Sequence, residues 1–269
     1  MKTPRRLGTK VLIKPWGTPL TNPWLENPAG QMVGEVWFTP PPAVPILVKF
    51  LFTTGRLSIQ VHPNDEYARG HHSSNGKTEM WHVLRSESDS TVGLGLRAGV
   101  TREQLVAAAG TAELEGLLDW MPARVGDTFF TEAETIHAVG KELVICEVQQ
   151  ISDVTYRLWD YGSDRELHLA DGMRVSRLTT GSGRREPVAL GGGRELLAEC
   201  AYFRTERVTV EGTGVVPGQA QSMICVALAG SGELEGVAFG PGVAWELPGG
   251  QGDWNVVGER VVLLTTMVP

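Results

Sequence analysis

No stretch of this chain approaches the roughly 18 consecutive apolar residues that a membrane-spanning helix needs. Its opening segment, MKTPRRLGTKVLIKPWG, carries positive charge but lacks the apolar core of a secretory leader. Cysteine is scarce as well. Cys146, Cys200 and Cys225 are odd in number and widely scattered, so they are read as reduced thiols and not as a disulfide framework. Both absences point to the cytoplasm, with no membrane partner. There is also no basic excess: a formal net charge of −7 argues against a nucleic-acid partner, although local basic residues can still hold a small anion. No internal repeat is found, and no histidine follows His168, so the C-terminal part offers no imidazole for a second metal site.

Glycine and proline, by contrast, are abundant (33 and 16 residues), which favours many short elements joined by tight turns. Residues 44–52 (VPILVKFLF) form an apolar run broken only by Lys49, as expected of a strand buried on both faces. Residues 57–62 (LSIQVH) alternate, with Ser58, Gln60 and His62 on the face opposite Leu57, Ile59 and Val61. Residues 142–150 (ELVICEVQQ) alternate too, placing Glu147 and Gln149 opposite Val144, Cys146 and Val148. Between these strands, Thr101 and Gln104 form a capping-box start, predicting a helix over TREQLVAAA. A second short helix is predicted from Ala112 to Trp120, before Pro122. The segment 175–195 is polar, glycine-rich and aperiodic. The expected organisation is all-β, with residues 1–175 as a metal-binding catalytic domain with a helical insert near 101–120, and 176–269 as a smaller β-barrel-like domain without metal.

Chemistry concentrates in three segments, SIQVHPND (58–65), GKTEMW (76–81) and ETIHAVG (134–140). Gln60 and His62, two apart on a strand, project the same way. Glu79 follows a turn-rich loop, PNDEYARGHHSSNG, and can add a carboxylate oxygen; His137, on a later strand, completes a set of two nitrogens and two oxygens. Such a set suits Zn(II), one per chain, with other divalent metals possible, and leaves positions open for substrate or water.

These segments, with DTFFTEAETIHAVG, EVQQISDVTYRLWDYG and RELHL, resemble the type I phosphomannose isomerases in composition and order over roughly residues 10–170. The resemblance implies cupin (jelly-roll) β-barrels, in a two-barrel arrangement, and a zinc-dependent enzyme interconverting mannose 6-phosphate and fructose 6-phosphate through an enediol. It places the metal ligands at Gln60, His62, Glu79 and His137, and further active-site roles on Lys77, Glu147 and Arg157. Either Lys77 or Glu147 would relay the proton, while Arg157 would hold phosphate or polarise the ring oxygen. The alternative is a metal-containing cupin that binds a sugar phosphate without turning it over.

One departure stands out. The general cupin pattern has a proline and a glycine in the turn before the second-motif histidine, whereas this chain has Glu132-Ala133-Glu134. Glu134 at the usual glycine position implies a different turn or a strained positive φ. Among the remaining candidates, Lys49 is either a snorkelling residue or a site lysine, and Trp16 is the tryptophan best placed to line a sugar pocket. His82 is expected on the face opposite Glu79.

Overall fold

The structure is a computed structural model that describes residues 2–269. The chain forms two compact units: one of residues 15–17 and 50–184, the other of 1–14, 18–49 and 185–269. This differs from a division at 175/176, because the N-terminal segment groups with the C-terminal one. Arg5–Arg6 pairs with Ala244–Leu247, and the Trp24 indole Nε1 donates to Leu228 O (2.8 Å). Pairings across more than 200 residues leave no local periodicity to read.

In the 50–184 unit, a five-stranded antiparallel sheet runs in the order Tyr156–Trp159, Ile59–Val61, His137–Val139, Thr91–Leu96, Leu118–Pro122. A second sheet has Gly183–Arg185, Thr128–Thr131, Glu79–Ser86, Leu143–Gln150 and Ile46–Thr53 in succession. Leu51, Trp81, Val83, Phe129 and Ile145 of the second sheet share one core with Val92, Leu94 and Val139 of the first. The two sheets therefore pack face to face as a β-sandwich. On the outer face of the first sheet, Ile59, Val61, Ala138, Tyr156 and Leu158 pack with Leu105, Ala108, Leu114 and Val175 from the helices. Strand alternation then fixes which residues look inward. Gln60, His137 and Arg157 lie between those outward residues and so face the interior of the sandwich.

The helical insert is present in part. Arg102–Ala108 is a helix, and both halves of the Thr101–Gln104 capping box are formed. The expected second helix stops early: Ala112–Leu117 is a 3-10 helix, and Leu118–Pro122 is a strand pairing with Thr91–Leu96. Ladder bonds to a neighbouring strand outweigh local helical preference there, and Pro122 is tolerated because the strand is at the sheet's edge. The supposed loop after His62 contains a helix, Asp65–His72, whose N-cap Asn64 accepts from Tyr67 N.

The second unit is also all-β. Its sheet includes the long strands Arg204–Val216, Met223–Leu234 and Trp254–Met267, and its core is built on Trp245, Trp254 and Phe239. Among the described residues, no helix in either unit is long and apolar enough to cross a membrane.

Candidate metal centre

His62, Glu79 and His137 come together in the interior of the sandwich, each no more than 1% exposed. One ligand atom from each lies within 4.8 Å of the others. Glu79 Oε1 is 3.4 Å from His137 Nε2, and Glu79 Oε2 is 3.7 Å from His62 Nε2. Four ligands about 2.1 Å from a tetrahedral metal stand roughly 3.4 Å apart, so the spacing fits a divalent cation.

The rings are oriented for that purpose. His62 Nδ1 bonds Val154 O at 3.0 Å and His137 Nδ1 bonds Thr135 O at 2.9 Å. A carbonyl can only accept, so each Nδ1 carries the proton and each Nε2 presents a lone pair toward Glu79. His137 Nε2 is buried without a hydrogen-bond partner, as suits an atom meant for a metal. Trp81 stands edge-on to the His137 ring, 5.5 Å between centroids.

Gln60 lies directly opposite His137 on one side and Arg157 on the other, so the three form one row across the sheet. Lys77 Nζ is 3.0 Å from His62 Nε2, 2.9 Å from Glu79 Oε2 and 3.8 Å from Glu147 Oε1. Lys77 and Glu147, 6% and 2% exposed, are thus both buried at the cluster. The lysine's backbone is tightly held. Lys77 N donates to Pro63 O (3.1 Å), while Asp65 Oδ1 accepts from both Gly76 N (2.8 Å) and Gln150 Nε2 (2.9 Å). A Cβ on Gly76 would sit 2.5 Å from Asp65 N and 2.6 Å from Asn64 C, so this close approach admits only glycine.

Burial pushes the His137 imidazole down from 6.5 to about 4; its bond to Thr135 and the Glu147 charge oppose that shift, and Lys77 adds to it. The unfolded chain therefore takes up a proton near 6.5 that the native state refuses until about 4. The associated stability is complete above the upper value and is lost as pH falls through that window. In denaturant titrations of chelated protein, the unfolding midpoint should drop between about pH 7 and about pH 5, and drop less in His137→Gln. Equal pH dependence in both proteins would contradict the assignment.

The turn before His137 adopts the strained alternative. Glu134 has φ +71°, its N donates to His62 O (2.7 Å), and its carboxylate receives Asn64 Nδ2 (2.8 Å) and Arg177 Nε (2.5 Å). Glu132 points elsewhere, accepting from Gly181 N at 2.8 Å. Glycine at 134 would relieve left-handed strain of about 1 kcal/mol, while Arg177 is largely exposed and its ion pair is worth little. Glu134→Gly should therefore change unfolding free energy by no more than about 1 kcal/mol, whereas the β-branched Glu134→Val should lose about 2 kcal/mol. Urea titration checks both; a Gly variant as unstable as the Val variant would mean that the side-chain contacts dominate.

Other candidates lie elsewhere. Lys49 is buried and pairs with Glu35 at 3.5 Å. His82 bonds Thr128 Oγ1 (2.9 Å) on the opposite face from Glu79. Trp16 packs partly buried against the inter-sheet core. His168 precedes the Leu169–Val175 helix and exchanges hydrogen bonds with the Arg157 backbone. Asp160, one possible partner for Arg157, is instead held by Arg165 at 2.6 Å. Strand register sets two inward residues on either side of Glu79: Gln149, which alternation already put on the Glu147 face, and Thr131, which sequence spacing did not single out.

A two-sheet β-sandwich with a buried His–Glu–His cluster between its sheets defines a cupin-type protein with a candidate metal site. No protein-family model matches the chain. Mannose-6-phosphate isomerase ManA of Bacillus subtilis is 33% identical over 244 residues, covering 85% of this chain and 75% of that protein. The mannose-6-phosphate isomerase of Streptococcus mutans is 30% identical over 233 residues, covering 81% and 73% respectively. The chain belongs to the mannose-6-phosphate isomerase family. In fold it is similar to the crystal structure of mannose 6-phosphate isomerase from Bacillus subtilis, with TM-score 0.88, 24% identity, and 99% and 100% of the two chains covered. A mutant phosphomannose isomerase from Salmonella typhimurium superposes with TM-score 0.81 at 15% identity over 99% of each chain.

Proposed function

We propose that this chain is a metal-dependent aldose–ketose isomerase that interconverts mannose 6-phosphate and fructose 6-phosphate, with its chemistry in the 50–184 unit. The observation that carries this reading is the burial of Lys77 and Glu147 against the His62–Glu79–His137 cluster. Family membership supports it. Gln60, His62, Glu79 and His137 would hold one Zn(II) per chain, or another divalent metal. When bound, such a cation polarises a carbonyl oxygen and stabilises the negative charge of an enediolate.

The chain's own groups do the rest. Lys77 and Glu147 stand 3.8 Å apart, and one of them would take the proton from C2 and return it to C1. The C2–H bond breaks, a C1–H bond forms, and the hydroxyl proton moves from O2 to O1. Neither residue meets bulk water freely, so the abstracted proton is retained long enough to be delivered. Arg157, beside Gln60 on the inner face, would hold the phosphate or the ring oxygen through its planar donors. A sugar phosphate as partner and three unbridged thiols suit the cytoplasm. Residues 185–269 have no histidine, and no metal chemistry is assigned to them.

Nothing favours a binding protein without turnover, which would have no use for two buried proton-transfer groups. The test is conversion of mannose 6-phosphate in D2O by metal-restored protein, followed by NMR. Fructose 6-phosphate is expected with most of its new C1 hydrogen carried over from C2, and with deuterium at C1 only in the fraction whose proton exchanges before delivery. Saturable binding of the sugar phosphate with no product would overturn the isomerase reading.

A further inference from the structure

Three buried polar atoms without a hydrogen-bond partner gather in one place. One is His137 Nε2, a lone pair of the metal cluster. The others are Thr131 Oγ1 and Gln149 Oε1, from the residues that flank Glu79 across the two neighbouring strands. Thr131 and Gln149 are each 0% exposed, so bulk water does not satisfy them. Neither belongs to the ligand set.

Gln149 is the more informative of the two because its amide cannot turn round. Nε2 donates to Gln150 O at 2.9 Å and to Ser152 O at 2.8 Å. A flipped amide would set its oxygen against both carbonyl oxygens, so Oε1 is fixed as the free acceptor. Register puts Gln149 opposite Glu79, with side chains of such pairs roughly 5 Å apart at Cβ, and alternation puts Glu147 on the same face. This wall of the site is therefore rich in acceptors, and Lys77, its nearby cation, already faces His62 and Glu79. A buried acceptor that lacks a donor is costly until a ligand brings one. A sugar, with a hydroxyl on nearly every carbon, brings several.

We infer that Gln149 is a substrate-contacting residue: its Oε1 accepts a hydrogen bond from the C3 or C4 hydroxyl of the sugar. The inference rests on the isomerase reading and adds a contact that helps select a polyol. Thr131, on the other flank of Glu79, offers a second polar group to the same ligand.

The test pairs Gln149→Met, close in shape but unable to accept from a hydroxyl in the same way, with three substrates: mannose 6-phosphate and its 3-deoxy and 4-deoxy analogues. For mannose 6-phosphate, kcat/KM should fall about 10-fold, the effect of one hydrogen bond in the transition state. For one deoxy analogue the same substitution should cost less than about 3-fold, because the donor is already gone. Bound metal per chain should not change. An equal loss on all three substrates would mean that Gln149 only supports the loop at Ser152, and overturns the inference; so does no loss on any. If the Met variant does not fold, Gln149→Asn, which keeps the amide but withdraws its oxygen by one methylene, is measured with the same expectations. Wild-type protein that converts none of the sugars would instead overturn the isomerase reading, and this contact with it.

Discussion

Glu79→Gln is expected to lose bound metal and to lower kcat/KM for mannose 6-phosphate by at least about 10³-fold. Glu79 is the only carboxylate in the His62–Glu79–His137 cluster, and its two oxygens face the two imidazole Nε2 atoms. An amide has nearly the same shape but no negative charge, and half of it is a donor. The neutral site would hold a divalent cation far more weakly, and Lys77 Nζ, 2.9 Å from Glu79 Oε2, would lose its nearest counter-charge. Glu147, 3.8 Å from the same nitrogen, compensates in part, so the variant should fold with reduced stability. Elemental analysis beside a coupled assay checks both parts. A variant that keeps both metal and activity would remove Glu79 from the ligand set.

Arg157→Ala should behave differently, keeping its metal while kcat/KM falls by roughly 10²–10³-fold. Arg157 sits one strand beyond Gln60 in the row that reaches His137, outside the His62–Glu79–His137 cluster. Among the described residues its guanidinium has no salt-bridge partner, which leaves its planar fork available to a phosphate or a ring oxygen. Arg157→Lys should recover only part of the loss, because an ammonium is a point charge without that fork. Loss of metal in Arg157→Ala would instead mean that the residue supports Gln60 and the ligand row. Full activity would mean that it serves the strand alone, through its backbone bonds with His168.

Part of the candidate metal cluster is legible in local sequence because strand alternation has a period of two. LSIQVH places Gln60 and His62 on one face, and ELVICEVQQ places Glu147 and Gln149 on one face opposite Val144, Cys146 and Val148, before any strand pairing is known. Glu134 was readable for a similar reason, since a non-glycine residue at a turn position that favours positive φ announces itself, and φ is +71°. Register is a different kind of information. That Thr131 and Gln149 flank Glu79 follows only from which strands pair and where, and those choices are made by the whole sandwich. The same holds for Leu118–Pro122, whose ladder to Thr91–Leu96 overrides a helix-like sequence, and for Arg5–Arg6, which joins a strand some 240 residues away. The Asp65–His72 helix is a plainer case. Asn64 is a good N-cap followed by Asp65 and Glu66, but the glycines and serines after it drew the segment toward a loop reading.

That one metal per chain drives isomerisation is tested most directly by a metal titration of chelated protein. Mannose 6-phosphate isomerisation should vanish on chelation. It should return in proportion to added Zn(II) or another divalent metal, and reach its plateau at about one equivalent per chain. Undiminished activity in the metal-free protein, or none at any metal concentration, would contradict it.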